Sequence, residues 1–251
     1  MGESASAVEL SRRSFLNKGL VVSGGLAVAG LGAACGDSGS KSSGKATSTT
    51  ATTAPTNGED AWKLLQEGNA RFVSGELAHP KRDFFRRAEQ AEHQTPFAVI
   101  LGCADSRVPP EIVFDEGIGD LFPVRVAGNT AADNTVLGSI EYGAAVLHCV
   151  LILVLGHESC GAVKAAVEKV TKGTTPPGHI DSVIQPIVPA VEAARARNEP
   201  DLLQAAIREN VKRQVELLQS SQPLLAGLVQ GGKTKVIGAE YDITSGHVER
   251  L

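Results

Sequence analysis

Several common signatures are missing from this chain, and each absence narrows what it does. Its four cysteines, at positions 35, 103, 149 and 160, are too few for a disulfide scaffold in 251 residues. None are spaced C-x-x-C, which weakens a thiol-redox reading. Lys and Arg form no block beyond the N-terminus and the net charge is −4, so the electrostatic footprint of a nucleic-acid binder is lacking. The weakly apolar N-terminal stretch, residues 19–34, is about 16 residues long, short of the roughly 20 that span a bilayer. No internal repeat is visible.

The N-terminus reads as an address. Arg12 and Arg13 lie in SRRSFLNKG ahead of the Gly/Ala-rich run, a pattern that resembles a twin-arginine export signal. The run ends in Leu31-Gly-Ala-Ala-Cys35, which resembles a lipoprotein processing site with Cys35 as the acylated residue. Gly32 stands where such sites usually carry Leu, so simple cleavage with secretion or periplasmic release, and an uncleaved anchor, stay open. Residues 36–57 are rich in Ser and Thr and carry too little apolar surface to fold, as expected of a tether. The organisation expected is an export signal over 1–35, a disordered tether over 36–57 and a catalytic α/β domain over 58–251, located at the outer face of the cytoplasmic membrane or cell envelope.

From residue 58 onward, 59–74 has helical rhythm and stops near Gly75. A polar segment with a loop and a short helix follows. FAVIL (97–101) reads as a buried strand, 121–126 as a second, and 134–147 as a helix. The apolar run 150–155 is a third strand, leading to a helix from Cys160 to about Thr171. Residues 180–198 and 201–220 read as two further helices, and 235–241 as a last strand before a polar tail. Alternating strands and helices indicate an α/β fold, a mostly parallel central sheet flanked by helices with an N-terminal helical arm. Cys149, beside an apolar run, reads as packing.

Two of these strands end in donors. One delivers Cys103, followed by Asp105 and Arg107; the other delivers His157 and Cys160. Sheets of this kind place ligand sites at such strand ends. If the strands are neighbours, Cys103, His157 and Cys160 form a Cys₂His set, the open three-ligand pattern of catalytic zinc. Asp105 has two roles available: closing the metal as fourth ligand, or accepting a hydrogen bond from a water at the open position. Arg107 can pair with that carboxylate and hold it off the metal. HxxC alone, or CxDxR alone, is a weak signal.

The residues CADSRVPPE (103–111) and GHESCGA (156–162), with FPVRVAGN between them and YDITSG near the end, resemble the β-class carbonic anhydrases over roughly residues 60–250. The resemblance implies one zinc per subunit on Cys103, His157 and Cys160, an Asp105–Arg107 dyad, and a homodimer or higher even-numbered oligomer with the substrate pocket at a dimer interface. In the plant-type branch a Gln, a Phe and a Tyr line that pocket, which match Gln94, Phe122 and Tyr142, and the Gly161 amide contributes. Ala127 stands where a larger Val is frequent. The implied reaction is hydration of CO2 to bicarbonate by a zinc-bound hydroxide whose hydrogen Asp105 accepts. Phe122 and Tyr142 suit a dry pocket, and Gln94 donates where charge develops. The proton carrier is open among His79, His93, His148, His179 and His247. A CS2 or COS hydrolase on the same zinc, and a non-catalytic zinc-binding surface lipoprotein, are the competing readings.

Overall fold

The structure, a computed structural model, describes residues 54–251. The export signal, Cys35 and the tether up to residue 53 lie outside the described residues.

The strands whose sequence is apolar without alternation are those buried on both faces. Strand β1 (Ala98–Gly102) and β3 (Leu151–His157) have every residue buried. With β2 (Leu121–Arg125), β4 (Lys235–Tyr241) and β5 (Val248–Arg250) they form one sheet in the order β2-β1-β3-β4-β5. The first four run parallel and β5 runs antiparallel to β4. Strand residues alternate between faces. Leu151, Leu153 and Leu155 therefore pack with Trp62 and Leu65 of helix α1 (Gly58–Ser74) on one side. Ile152 and Val154 pack on the other with Ile140 of α4 (Asn134–Glu141). Between them in sequence lie the short helices α2 (Phe84–Glu89) and α3 (Pro110–Val113).

The crossover from β3 to β4 carries α5 (Gly161–Lys172), α6 (Ile180–Ile184), α7 (Val188–Ala196), α8 (Leu202–Ser220) and α9 (Leu225–Gln230). Helix α8 lies directly on the end of β3: a Cβ on Gly156 would sit 2.5 Å from Val211 Cγ2. Any larger residue there would push α8 off the sheet end that carries His157.

Four expectations are corrected by the structure. The strand 150–155 runs on to His157, because β4 is long enough to pair with Gly156 and His157. The helix 134–147 is α4 followed by a π-helical turn, Tyr142–Val146. The helix 180–198 is broken into α6, a 3₁₀ turn at Gln185–Ile187 and α7, where Pro186 and Pro189 remove backbone donors. The polar tail after 241 contains β5. Asp242 turns the chain by accepting from the amides of Thr244 and Ser245, and the strand that follows is too short for alternation to reveal it.

The N-terminal arm is tied down by buried polar groups. Asn69 donates to the carbonyls of Val113 and Gly246 and accepts from the Val248 amide. Burial alone would raise the Asp115 carboxyl, but Arg71 at 2.8 Å and the amides of Ala78 and His79 hold it below the usual range. Neighbouring Glu116 is only 4% exposed, and its Oε1 has no hydrogen-bond partner. Burial, and then the adjacent Asp120 charge, push its carboxyl up to about 8. The unfolded value is about 4.3, so folding takes up a proton at Glu116 between those limits. Its contribution to stability is fully present below the unfolded value and is lost as pH rises through about 8. Glu116→Gln mimics the protonated acid. It is expected to leave urea-unfolding stability unchanged near pH 4 and to raise it by a few kcal/mol near pH 9. An equal change at both pH values would overturn the assignment.

Candidate metal centre

The parallel register assembles the site. Gly102 pairs with Leu155, so the next residue of the first strand, Cys103, emerges beside Gly156 and His157. After His157 the chain turns through Ser159 in a left-handed conformation (φ 57°), and Cys160 caps the start of α5. The donor atoms of Cys103, His157 and Cys160 lie within 4.8 Å of one another, with the two sulfurs 4.0 Å apart, and all three residues are buried.

His157 Nδ1 donates to the Glu158 carbonyl at 2.9 Å, since a carbonyl only accepts. That leaves Nε2 to offer its lone pair inward, where it is buried with no hydrogen-bond partner. Cys103 is pulled down, first by the hydrogen bond it shares with Cys160 and further by His157 and the Gly128 amide, against the effect of burial. Cys160 is pushed up by the hydrogen bond it shares with Cys103 and by burial. Burial alone would lower His157, but the Cys103 sulfur draws it upward. Thiolate, thiol and imidazole thus contend for the same protons, which a soft divalent cation would displace. The orphaned Nε2 and the two buried sulfurs fit zinc in ligand type and number.

Asp105 stands beside this set. Its Oδ2 is 4.0 Å from His157 Nε2, yet it is not one of the mutually close donors. Arg107 explains the difference: Nε donates to Oδ1 at 2.9 Å, Nη2 to Oδ2 at 2.7 Å, and the Arg107 amide also donates to Oδ1. This fork, chiefly the side-chain bond from Arg107, holds the carboxyl well below the ordinary range. Asp105 keeps 17% side-chain exposure and Arg107 keeps 52%, so the pair is open to small molecules as the ligands are not.

The pocket residues fall into a second group. Phe122 and Tyr142 meet with ring centroids 6.2 Å apart, and Tyr142 is 47% exposed. Phe122 pairs with Val99, three register positions before Gly102 and Arg125. Within one chain that is about 10 Å from the ligand-bearing end of the sheet. Gln94 and Ala127 are exposed. Gly161 opens α5, where first-turn amides lack helical partners. The structure therefore unites Cys103, His157, Cys160, Asp105 and Arg107, and separately unites Phe122 with Tyr142. The five histidines considered as proton carriers are all exposed and outside the ligand set. Cys149 is fully buried and donates to the Pro96 carbonyl, and burial pushes its thiol up to about 12, as suits a packing residue.

Two contributors escaped sequence reasoning. Arg125, the last residue of β2, donates to the carbonyls of Cys103 at 2.9 Å and of Asp105 at 2.5 Å, clamping the loop between them. The Gly128 amide donates to Cys103 Sγ at 3.4 Å. A charged residue ending a strand next to the ligand strand was the available signal for Arg125. A backbone amide leaves none.

Comparison with known proteins agrees with this architecture. The family model described as carbonic anhydrase matches residues 98–248. Carbonic anhydrase 2 of Mycobacterium tuberculosis is 43% identical over 191 residues, covering 76% of this chain and 91% of that protein. The carbonic anhydrase of Mycolicibacterium smegmatis is 42% identical, covering 75% and 91%. Among solved structures, the β-carbonic anhydrase CcaA superposes with a TM-score of 0.58 at 28% identity, covering 76% of this chain and 94% of that one. The Coccomyxa β-carbonic anhydrase in complex with acetazolamide gives 0.60 at 27%, covering 74% and 84%. A sheet carrying a buried Cys₂His cluster beside an Asp–Arg pair defines a class of metal-dependent α/β enzyme. Within that class, this chain belongs to the carbonic anhydrase family, in its β class.

If the three buried donors hold the metal, elemental analysis should find zinc retained in Cys149→Ala and lost in Cys103→Ser and Cys160→Ser. A fully zinc-loaded Cys160→Ser protein would remove that residue from the ligand set.

Proposed function

We propose that this chain catalyses the reversible hydration of CO2 to bicarbonate and a proton, with one zinc per subunit on Cys103, His157 and Cys160. The observation that carries this reading is the Asp105 carboxylate, forked by Arg107 and poised 4.0 Å from the nitrogen of a buried ligand set. Zinc held by these three residues would supply a Lewis acid able to bring the pKa of a bound water to about 7. Asp105, kept ionised by Arg107, accepts a hydrogen from the reacting water and turns the attacking lone pair toward CO2. Arg125 fixes the backbone on either side of that carboxylate. A non-catalytic zinc protein would have no use for the forked pair.

CO2 is apolar, and its pocket needs a dry wall. The Phe122–Tyr142 pair, with Tyr142 exposed and Phe122 partly buried, supplies one, but too far from its own subunit's ligands. We infer a homodimer in which a second copy brings this pair, with Gln94 and an open site of the plant type, to the first copy's metal centre. Gln94 then donates to the oxygen on which charge develops, and the Gly161 amide, at the positive end of α5, acts beside it. The smaller Ala127 leaves room that a CS2 or COS hydrolase would use, so sulfide release is assayed alongside CO2 hydration.

The sequence of residues 1–57 supports an exported protein: a twin-arginine signal, acylation at Cys35 and a Ser/Thr-rich tether holding the 58–251 domain at the outer face of the membrane. Loading zinc before export would protect the thiolates from oxidation. Fractionation of cells tests this. Arg12→Lys with Arg13→Lys should keep the protein in the cytoplasm, and Cys35→Ala should release it from the membrane fraction. A wild-type distribution in both variants would refute the address.

Asp105→Asn is expected to retain zinc and to lose CO2 hydration by about 100-fold or more. Near-wild-type turnover in the zinc-loaded variant, measured by stopped-flow pH change, would exclude the assigned role.

A further inference from the structure

Helix α8 turns an apolar face to the sheet through Ala206, Ile207, Val211 and Leu218, and two polar side chains interrupt it. Asn210 is 1% exposed and Gln214 is 4% exposed, one turn apart on the same face. Burying a primary amide is unfavourable unless its hydrogen bonds are made. Here they are made to a loop rather than to the helix. Asn210 Nδ2 donates to the Gly128 carbonyl at 2.9 Å, and Gln214 Oε1 accepts from the Ala131 amide at 2.8 Å. Gln214 Nε2 also reaches Asn210 Oδ1 at 3.4 Å, joining the two.

The loop they hold is strained and close-packed. Gly128 (φ 80°) and Asn129 (φ 45°) are consecutive left-handed residues, and the second is not glycine. Such a conformation persists where the surroundings over-determine it. A Cβ on Gly128 would sit 2.5 Å from Ile187 Cδ1, so the loop is pinned on a second side by the 3₁₀ turn. The consequence lies at the sulfur: the Gly128 amide donates to Cys103 Sγ. A hydrogen bond to a ligating thiolate withdraws charge from it and fixes its direction, and such outer partners alter metal affinity about 10- to 100-fold.

We propose that Asn210 and Gln214 are positioning residues for the metal centre, holding the 128–131 loop so that the Gly128 amide sets the donor strength and direction of Cys103. This rests on the ligand set proposed above.

The test uses the full chain. Zinc in the wild type is measured first by elemental analysis; a wild type that binds none refutes the ligand set and this inference with it. Zinc release to a chromogenic chelator, and the thiolate-to-metal charge-transfer band of the cobalt-substituted protein, are then compared across variants. Asn210→Leu is expected to release zinc about 10-fold faster or more and to shift the cobalt band. Gln214→Leu should move both readouts the same way, and Gln214→Glu, which keeps an acceptor for the Ala131 amide, should stay nearer the wild type. Leu218→Ala opens a cavity on the same helix face away from the loop. It should lower Tm while leaving release and band unchanged. Should Asn210→Leu fail to fold, the two Gln214 variants carry the comparison. Wild-type release and an unshifted band in the folded loop variants would overturn the proposal. So would a Leu218→Ala protein that reproduces their changes.

Discussion

Three metal-type donors held within 4.8 Å of one another and shielded from water constrain the rest of this molecule. Two sulfurs and an imidazole in that position are unfavourable as three neutral groups, because each loses water without gaining a full set of partners. The two sulfurs share a hydrogen bond instead, which pulls one thiol down and pushes the other up. The surrounding elements keep that cluster in place. Parallel pairing of β1 with β3 fixes Cys103 against His157, the Glu158 carbonyl orients the imidazole, and α5 begins at Cys160. Ile184, Ile187, Val191 and Ile207 cover the two cysteines as a separate apolar cluster at the sheet end. The lost solvation is thereby made permanent, and a cation becomes the fitting partner.

Pairing of Asp with Arg recurs in this molecule, and burial separates its use at Asp115 from its use at Asp105. Asp115 is fully buried; Arg71 and Arg82 bind it together with two backbone amides, joining the N-terminal arm to the segment before β2. Its lone pairs are engaged, and nothing can approach. Asp105 has the tighter fork, yet its side chain stays partly exposed while its Oδ2 lies 4.0 Å from His157 Nε2. Charge and geometry alone do not distinguish a structural carboxylate from a reactive one. The distinguishing property here is an accessible oxygen next to an unpartnered buried nitrogen.

Much of this was legible in the sequence, for identifiable reasons. Apolar runs without alternation, 97–101 and 150–155, are short and bounded by Pro96, Gly102 and Gly156, so they read as strands covered on both faces, and their ends then carry Cys103, His157 and Cys160. Legibility stops where a role depends on a partner distant in sequence. Asn210 and Gln214 look like ordinary polar interruptions of a helical stripe, and only the loop 82 residues away gives them a purpose. Arg125 has the same problem, since its acceptors are backbone carbonyls of the loop that follows the adjacent strand. β5 is three residues long, and no periodicity shows in three residues. The proline break between α6 and α7 was visible in the letters, but the apolar spacing around it continues through and masks the interruption.

The placement of Phe122 bears most directly on how the proposed reaction is organised. A residue that lines a pocket over Cys103 would be expected near the end of its strand, as Arg125 is. Phe122 instead pairs with Val99 near the beginning, and it packs on Tyr142 at the first position of the π turn. Strand β2 is an edge strand, so this aromatic pair sits on the margin of the sheet with Tyr142 half exposed. An apolar pair at a sheet margin is unfavourable in water and favourable against a second protein surface. The proposed dimer answers both requirements at once. It covers the aromatic pair that one subunit leaves in water, and it supplies the apolar wall that one subunit's metal centre lacks. On this reading, oligomerisation completes the site, and dilution below the dimer's dissociation constant would remove the pocket while leaving the ligand set whole.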